Sequence, residues 1–169
     1  MSVAIEIRGL AQFNRALGWL SPESIRAAGT AMYREAERIM ADSKQNYVPV
    51  DLGTLKTSGF VRRPTVTTRG AEVEFGYGGA AKGYALYVHE GTGPAAGRPP
   101  FMPPVDVIAR WARRHGIDER HAFVIARAIG RRGLRPLKYL ERPVAAARRG
   151  MDDRLAADAR TLLRGVRWK

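Results

Sequence analysis

Gly59-Phe60-Val61-Arg62-Arg63-Pro64-Thr65-Val66-Thr67-Thr68-Arg69-Gly70-Ala71-Glu72-Val73-Glu74-Phe75-Gly76-Tyr77 is the stretch on which the fold turns. Its second half alternates apolar Ala71, Val73, Phe75 and Tyr77 with Glu72, Glu74 and Gly76, a period of two that predicts a strand with one wet face. Its first half carries Phe60, Val61, Val66 and several threonines. Arg69-Gly70 between the halves predicts a hairpin turn. A half-buried antiparallel sheet needs a cover, so the flanking sequence has to supply one.

Upstream, Ser21-Pro22-Glu23 is a helix start: a hydroxyl at the N-cap, proline at the first helical position, an acid in the first turn. Ile25, Ala28, Met32, Ala36, Ile39 and Met40 then fall on one face, predicting a long helix to about Asn46 that Pro49 prevents from continuing. This helix is the expected cover for the sheet. Ile5 and Ile7 alternate with Glu6 and Arg8 and predict a short first strand. Leu10, Phe13, Leu17 and Leu20 predict a short amphipathic helix. A third strand is expected at Tyr84–His89, beyond the glycine-rich connection Gly78–Gly83, with Tyr84 and Tyr87 on opposite faces and His89 and Glu90 pointing apart.

After Pro104 the pattern is helical. Val105, Val107, Ile108, Trp111 and Ala112 predict one helix ending near Gly116. Ala122, Val124, Ile125, Ala128 and Ile129 predict a second ending near Gly133. Leu137, Tyr139 and Leu140 lie in a bend or short strand. From Pro143 a last helix is expected, with Val144, Ala147, Met151, Leu155, Ala159, Leu162 and Val166 as a two-in-seven stripe that faces the core or, as the alternative, a coiled-coil partner. The expected fold is α+β: an antiparallel β-sheet packed against a long α-helix, with a helical C-terminal section. Residues 1–104 form the core with its proline-rich arm, and residues 105–169 a basic helical section on the same domain.

The 169-residue chain has a formal charge of +13 and no cysteine. Residues 105–169 hold 17 Lys/Arg against 7 Asp/Glu, a net of +10, so the field that attracts polyanions is concentrated there. Without cysteine there is no disulfide or thiolate metal site. The N-terminus does not read as a signal peptide, and no stretch approaches the roughly 18 apolar residues of a membrane span, so no membrane partner is expected.

Covalent chemistry finds little to work with. His115 and His121 do not share a helix face, and no ligand set converges on a metal. Gly78–Tyr84 lacks the Lys-Ser/Thr pair and following helix of a Walker loop. No serine or cysteine nucleophile has a positioned base. The chain is therefore read as a non-enzyme with no catalytic residue, no cofactor and no metal. The helix pair Val105–Arg135, with Arg127, Arg131 and Arg132 on its second member, also fits a helix-turn-helix nucleic-acid-binding regulator. The loop from Gly91 to Pro104 is long and proline-rich, and Phe101-Met102 forms an apolar tip that either packs on its own core or inserts into a neighbour.

Four motifs in sequence resemble one family. Pro49-Val50-Asp51-Leu52-Gly53-Thr54-Leu55-Lys56-Thr57-Ser58 is similar to the Pro-x-Asp-Thr-Gly-x-Leu-x-x-Ser signature of tailed-bacteriophage neck and tail-completion proteins, the minor tail protein Z-like group. Tyr84–Thr92 resembles its Tyr-Ala-x-Tyr-Val-Glu-x-Gly-Thr, and Arg98–Pro104 its Pro-x-Phe-Leu-x-Pro. Phe123–Ile129 with Gly133-Leu134-Arg135-Pro136 resembles longer members. Leu52 replaces the usual threonine, and His89 stands where glutamate is usual.

The resemblance implies a structural virion protein of the head–tail junction, assembled in the bacterial cytoplasm. It would form a homo-oligomeric ring, a hexamer, between the head connector and the tail. Its partners would be further copies of itself, neck or connector proteins, and tail-tube or terminator proteins, with nonspecific contact to genomic DNA in the channel. A tail terminator capping the tail tube is the alternative role. The expected subunit or neighbour contacts are Tyr87, Glu90, Phe101 and Met102. Arg131, Arg132 and Arg135 form the expected basic surface. Asp51 and Gly53 define the turn out of the long helix, Asp51 as a cap or Asx-turn and Gly53 as the residue that permits a tight backbone.

Overall fold

The computed structural model describes residues 3–6, 21–68 and 70–164, with backbone only for 3–6. It is α+β, and the chain divides into two compact units: Met1–Ala85 with Tyr139–Lys169, and Leu86–Lys138. The division falls at Ala85 and Tyr139 rather than at Pro104, so the first unit is discontinuous in sequence.

In the first unit, β1 (Val3–Glu6) is followed by α1 (Pro22–Asp42), which begins as expected. Ser21 Oγ accepts from the Ser24 amide at 3.4 Å. Ser43–Tyr47 form a π-helical turn, closed by Val48 N–H donating to the Ser43 carbonyl at 3.0 Å. Val48 is extended, as the residue before a proline must be. The predicted short helix over Leu10–Leu20 lies outside the described residues.

A single-turn helix, α2 (Thr54–Thr57), leads into β2 (Gly59–Val61), β3 (Thr65–Thr67), β4 (Gly70–Glu72) and β5 (Glu74–Tyr77). β5 lies antiparallel between β1 and β2, and β3 pairs antiparallel with β4. The expected hairpin is present: Val61 faces Phe75, Thr65 faces Glu72, and Thr67 faces Gly70 across the turn. It is interrupted where Pro64, lacking an N–H, cannot join the ladder. Arg62 keeps the two arms together, its N–H donating to the Glu74 carbonyl at 2.8 Å and its guanidinium pairing with the Glu74 carboxylate.

α1 covers the hairpin as predicted. Ile25, Ala28, Ala36, Ile39 and Met40 are buried, and Gly29 allows close approach: a Cβ there would sit 3.0 Å from that of Ala71 and 3.1 Å from that of Pro64. The last helical section also packs on α1, but as two helices where one was expected. α6 (Glu141–Ala147) and α7 (Met151–Arg164) are separated at Gly150, whose φ of +68° lies in the left-handed region. The intervening helices are α3 (Ala85–Glu90), α4 (Val105–Arg114) and α5 (Ala122–Arg132). Met151 and Leu155 of the predicted stripe are buried.

Two polar features sit in this packing. Ser43 Oγ donates to the Tyr139 carbonyl at 2.6 Å, so its single proton is used, and the Tyr77 hydroxyl donates to it at 2.8 Å. The Tyr77 and Tyr139 rings meet edge to face at 4.9 Å. Burial pushes the Tyr77 phenol up to about 12, although the Ser43 hydrogen bond works the other way. Glu35 is a carboxylate beside the apolar stripe, yet its side chain is only 5% exposed. Burial alone would raise its pKa, but hydrogen bonds from Arg154 and Arg38 outweigh that and hold the carboxyl below its ordinary value.

The expected strand at Tyr84–His89 is instead a helix, α3 (Ala85–Glu90). The tyrosines and valine favour a strand only where cross-strand neighbours exist. Here the buried residues are Ala85 and His89, four apart, the spacing of a helical face. Tyr84 and Tyr87 are both exposed rather than split between two faces.

The second unit is built on α4 (Val105–Arg114) and α5 (Ala122–Arg132), the helix pair predicted from the sequence. Ile108, Ala122 and Ala126 form its buried seam, with Ala109, Ile125 and Ile129 packed at the edge. No described helix is long and apolar enough to cross a membrane.

Candidate functional site

The second unit carries the residues singled out for contact. Its loop is fixed by glycines. Thr92 N–H donates to the Leu134 carbonyl at 2.9 Å, and Leu134 N–H returns the bond to the Thr92 carbonyl at 3.0 Å. This two-bond clasp joins the Gly91-Thr92-Gly93 corner to the segment following α5. Gly133 makes it possible: its φ is +76°, and a Cβ would collide with the Thr92 carbonyl oxygen. Gly91, with φ +75°, is similarly pressed against the Leu134 carbonyl and Pro136. The two glycine-containing motifs are thus one structural feature. The sequence marks Gly91 as the start of a proline-rich loop and Gly133 as the end of a helix, and nothing in either segment marks the other as its partner.

From the clasp the chain makes a turn at Pro94–Ala96 and runs through the proline arm. The arm docks on α5 where Gly130 leaves room for the backbone of Met102; a Cβ at Gly130 would lie 3.2 Å from Met102 Cα. The two residues of the apolar tip differ in their surroundings. Met102 sits against its own unit, while Phe101 projects with 62% of its surface exposed. Beside it lies a cavity of about 440 Å³ with an apolar wall that includes Tyr87, Pro99, Phe101, Ile108, Ile129 and Leu134.

Tyr87, Phe101 and Met102 are therefore gathered at one place, all substantially exposed. Glu90 is committed within the unit instead. Its carboxylate accepts from Lys138 Nζ at 2.7 Å and pairs with His89 Nδ1 at 2.9 Å. The Lys138 bond, then the His89 bond, hold its pKa below the usual value against the opposing effect of burial. His89 and Glu90, expected to point apart, are in contact because the segment is helical.

Arg131, Arg132 and Arg135 are exposed, at the end of α5 and just past it. In the first unit, Asp51 is exposed in the turn before α2, and Gly53 has φ +76°, a left-handed conformation that goes with the tight backbone expected there. The Gly53 carbonyl accepts the Thr57 amide at 2.9 Å, starting α2. Val50 and Leu52 flank Asp51 and are 64% and 68% exposed.

Chemically, the gathered groups of the second unit are apolar surface and fixed positive charge, an arrangement for contact. No protein-family model matches the chain, nor does any curated protein or solved structure.

Proposed function

We propose that this chain is a structural virion protein of the tailed-phage head–tail interface, a tail-completion or neck protein that acts by contact and performs no covalent chemistry. Copies close into a ring that joins the head connector to the tail. The reading is supported by the order of the four motifs and by the geometry of the arm. The observation that carries it is Phe101: an exposed aromatic on a proline-stiffened, clasped arm beside an open apolar cavity. Large aromatics in pockets are the usual anchors of protein interfaces, and prolines lower the entropy lost when the arm docks. In a closed ring each subunit offers one patch to a different patch of the next. A projecting arm suits such a head-to-tail contact.

The test is made on particles. Virions assembled without this chain should yield full heads and tails of normal length that fail to join. Headless tails of irregular length would instead assign the terminator role. Phe101→Ser should leave the isolated chain folded, because the ring is largely exposed, and should reproduce the joining defect. Particles that join normally with Phe101→Ser, or that lack the chain at their junction, would overturn the proposal.

A further inference from the structure

Six arginines of this protein are tied up in ion pairs, and several others among the described residues are not, including a run at the end of the second unit's last helix. Arg38, Arg62, Arg110, Arg113, Arg120 and Arg154 each pair with a carboxylate. Arg127, Arg131, Arg132 and Arg135 have no ion pair among the described residues, and all four are exposed. Arg127, Arg131 and Arg132 are in α5 and Arg135 is in the segment just beyond it. The buried side of that helix is Ala122, Ala126 and Gly130, which puts Arg127 and Arg131 on the opposite face, one turn or about 6 Å apart along the axis. No acidic residue occurs between Arg120 and Leu140.

Ordinary helix chemistry explains only part of this. Arg131 and Arg132 lie in the last turn, where a cation complements the helix dipole. That does not account for Arg127 in mid-helix or Arg135 past the end. Like charges at i and i+4 repel and destabilise an isolated helix, so Arg127 with Arg131 is an unfavourable choice unless an anion is brought in.

We propose that the solvent face of α5, through Arg127, Arg131, Arg132 and Arg135, is a site for the phosphate backbone of duplex DNA, bound without regard to base sequence. The guanidinium fork matches phosphate oxygens in a way an ammonium does not, and every cation of the cluster is arginine. DNA-binding surfaces are much more positively charged than protein–protein interfaces, and no acidic residue interrupts this one. The assignment stands on these charges alone and does not depend on the virion reading.

The test uses the full-length chain and a fluorescein-labelled 30-base-pair duplex of random sequence, followed by anisotropy across a potassium chloride series. Four phosphate contacts predict a log–log salt slope near −3.6, so affinity should fall about 150-fold between 50 and 200 mM salt. Arg127→Ala and Arg131→Ala should each flatten the slope by about 1. Arg62→Ala and Arg110→Ala, which remove paired arginines, should leave it unchanged. Circular dichroism checks that each variant is folded. An excess of polyglutamate at equal charge should not displace the duplex.

The proposal is overturned if folded Arg127→Ala and Arg131→Ala bind with the wild-type slope. Displacement by polyglutamate would assign the site to an acidic polypeptide. A sequence preference that survives at high salt would assign it to base reading.

Discussion

Replacing Ser43 by alanine tests whether the buried polar knot of the first unit is held by one oxygen. Ser43, Tyr77 and Tyr139 are fully buried. The substitution leaves no cavity of consequence, so its effect is almost purely one of hydrogen bonding. It removes the acceptor of the Tyr77 hydroxyl and the donor to the Tyr139 carbonyl. Each buried group left unpaired costs about 1–3 kcal/mol. A stranded Tyr77 hydroxyl together with a lost hydrogen bond at the Tyr139 carbonyl gives an expected loss of about 3 kcal/mol. For a chain of this size that lowers Tm by about 6–12 °C.

Tyr77→Phe should cost only about 1 kcal/mol, because Ser43 still donates to Tyr139. The double variant should be less destabilised than the two single losses combined by about 1–2 kcal/mol, since deleting the hydroxyl removes one of the stranded groups. Urea denaturation of all four proteins measures the cycle. A Ser43→Ala loss under about 1 kcal/mol, with strict additivity in the double variant, would refute the reasoning.

The same knot has an alkaline signature. A tyrosine whose pKa is raised on folding holds its proton more tightly in the native state, so its contribution is complete below about pH 10, the unfolded value, and is lost as pH rises towards about 12. Tyr77→Phe should abolish that part of the alkaline decline.

Three further outcomes follow from the geometry. Arg154→Met strips Glu35 of its main partner but leaves Arg38; removing a partner from a buried pair costs about 3–5 kcal/mol. The exposure of Arg154 and the remaining Arg38 bond should reduce that to about 2 kcal/mol in urea melts at pH 7. Because the folded Glu35 pKa is depressed, its contribution is present above the unfolded value of 4.5 and is lost as pH falls through the folded value, so Arg154→Met should show weaker acid destabilisation than wild type between pH 5 and pH 3. Gly133→Ala, which meets both a left-handed backbone and the Thr92 carbonyl, should open the clasp and speed hydrogen exchange at the Thr92 and Leu134 amides. Gly116→Ala, with φ +70° but open space around it, should cost only about 1 kcal/mol.

Local patterns determined much of this protein. Ser21-Pro22-Glu23 and the apolar spacing to Met40 specify α1, because capping and helical periodicity act within a few residues. The alternation from Ala71 to Tyr77 specifies the hairpin for the same reason, and the helix pair between Val105 and Arg132 is equally plain. Where local chemistry is ambivalent, neighbours decided. Tyr84–His89 carries strand-forming residues, yet Ala85–Glu90 is a helix, because its buried residues Ala85 and His89 are four apart, the spacing of a helical face, and no described strand pairs with it. The split of the last helical stretch at Gly150 was not anticipated, since a glycine interrupts a helical pattern only when packing rewards a left-handed turn.

At the site, composition pointed to Phe101 and to the exposed arginines. Only the tertiary structure showed that Glu90 is consumed by Lys138 and His89, and that Gly91–Gly93 and Gly133–Leu134 form one clasp. Sequence determines which groups are apolar, charged or conformationally free, since those properties belong to single residues. Which of them remain available depends on partners about forty residues away, and no local pattern encodes that pairing.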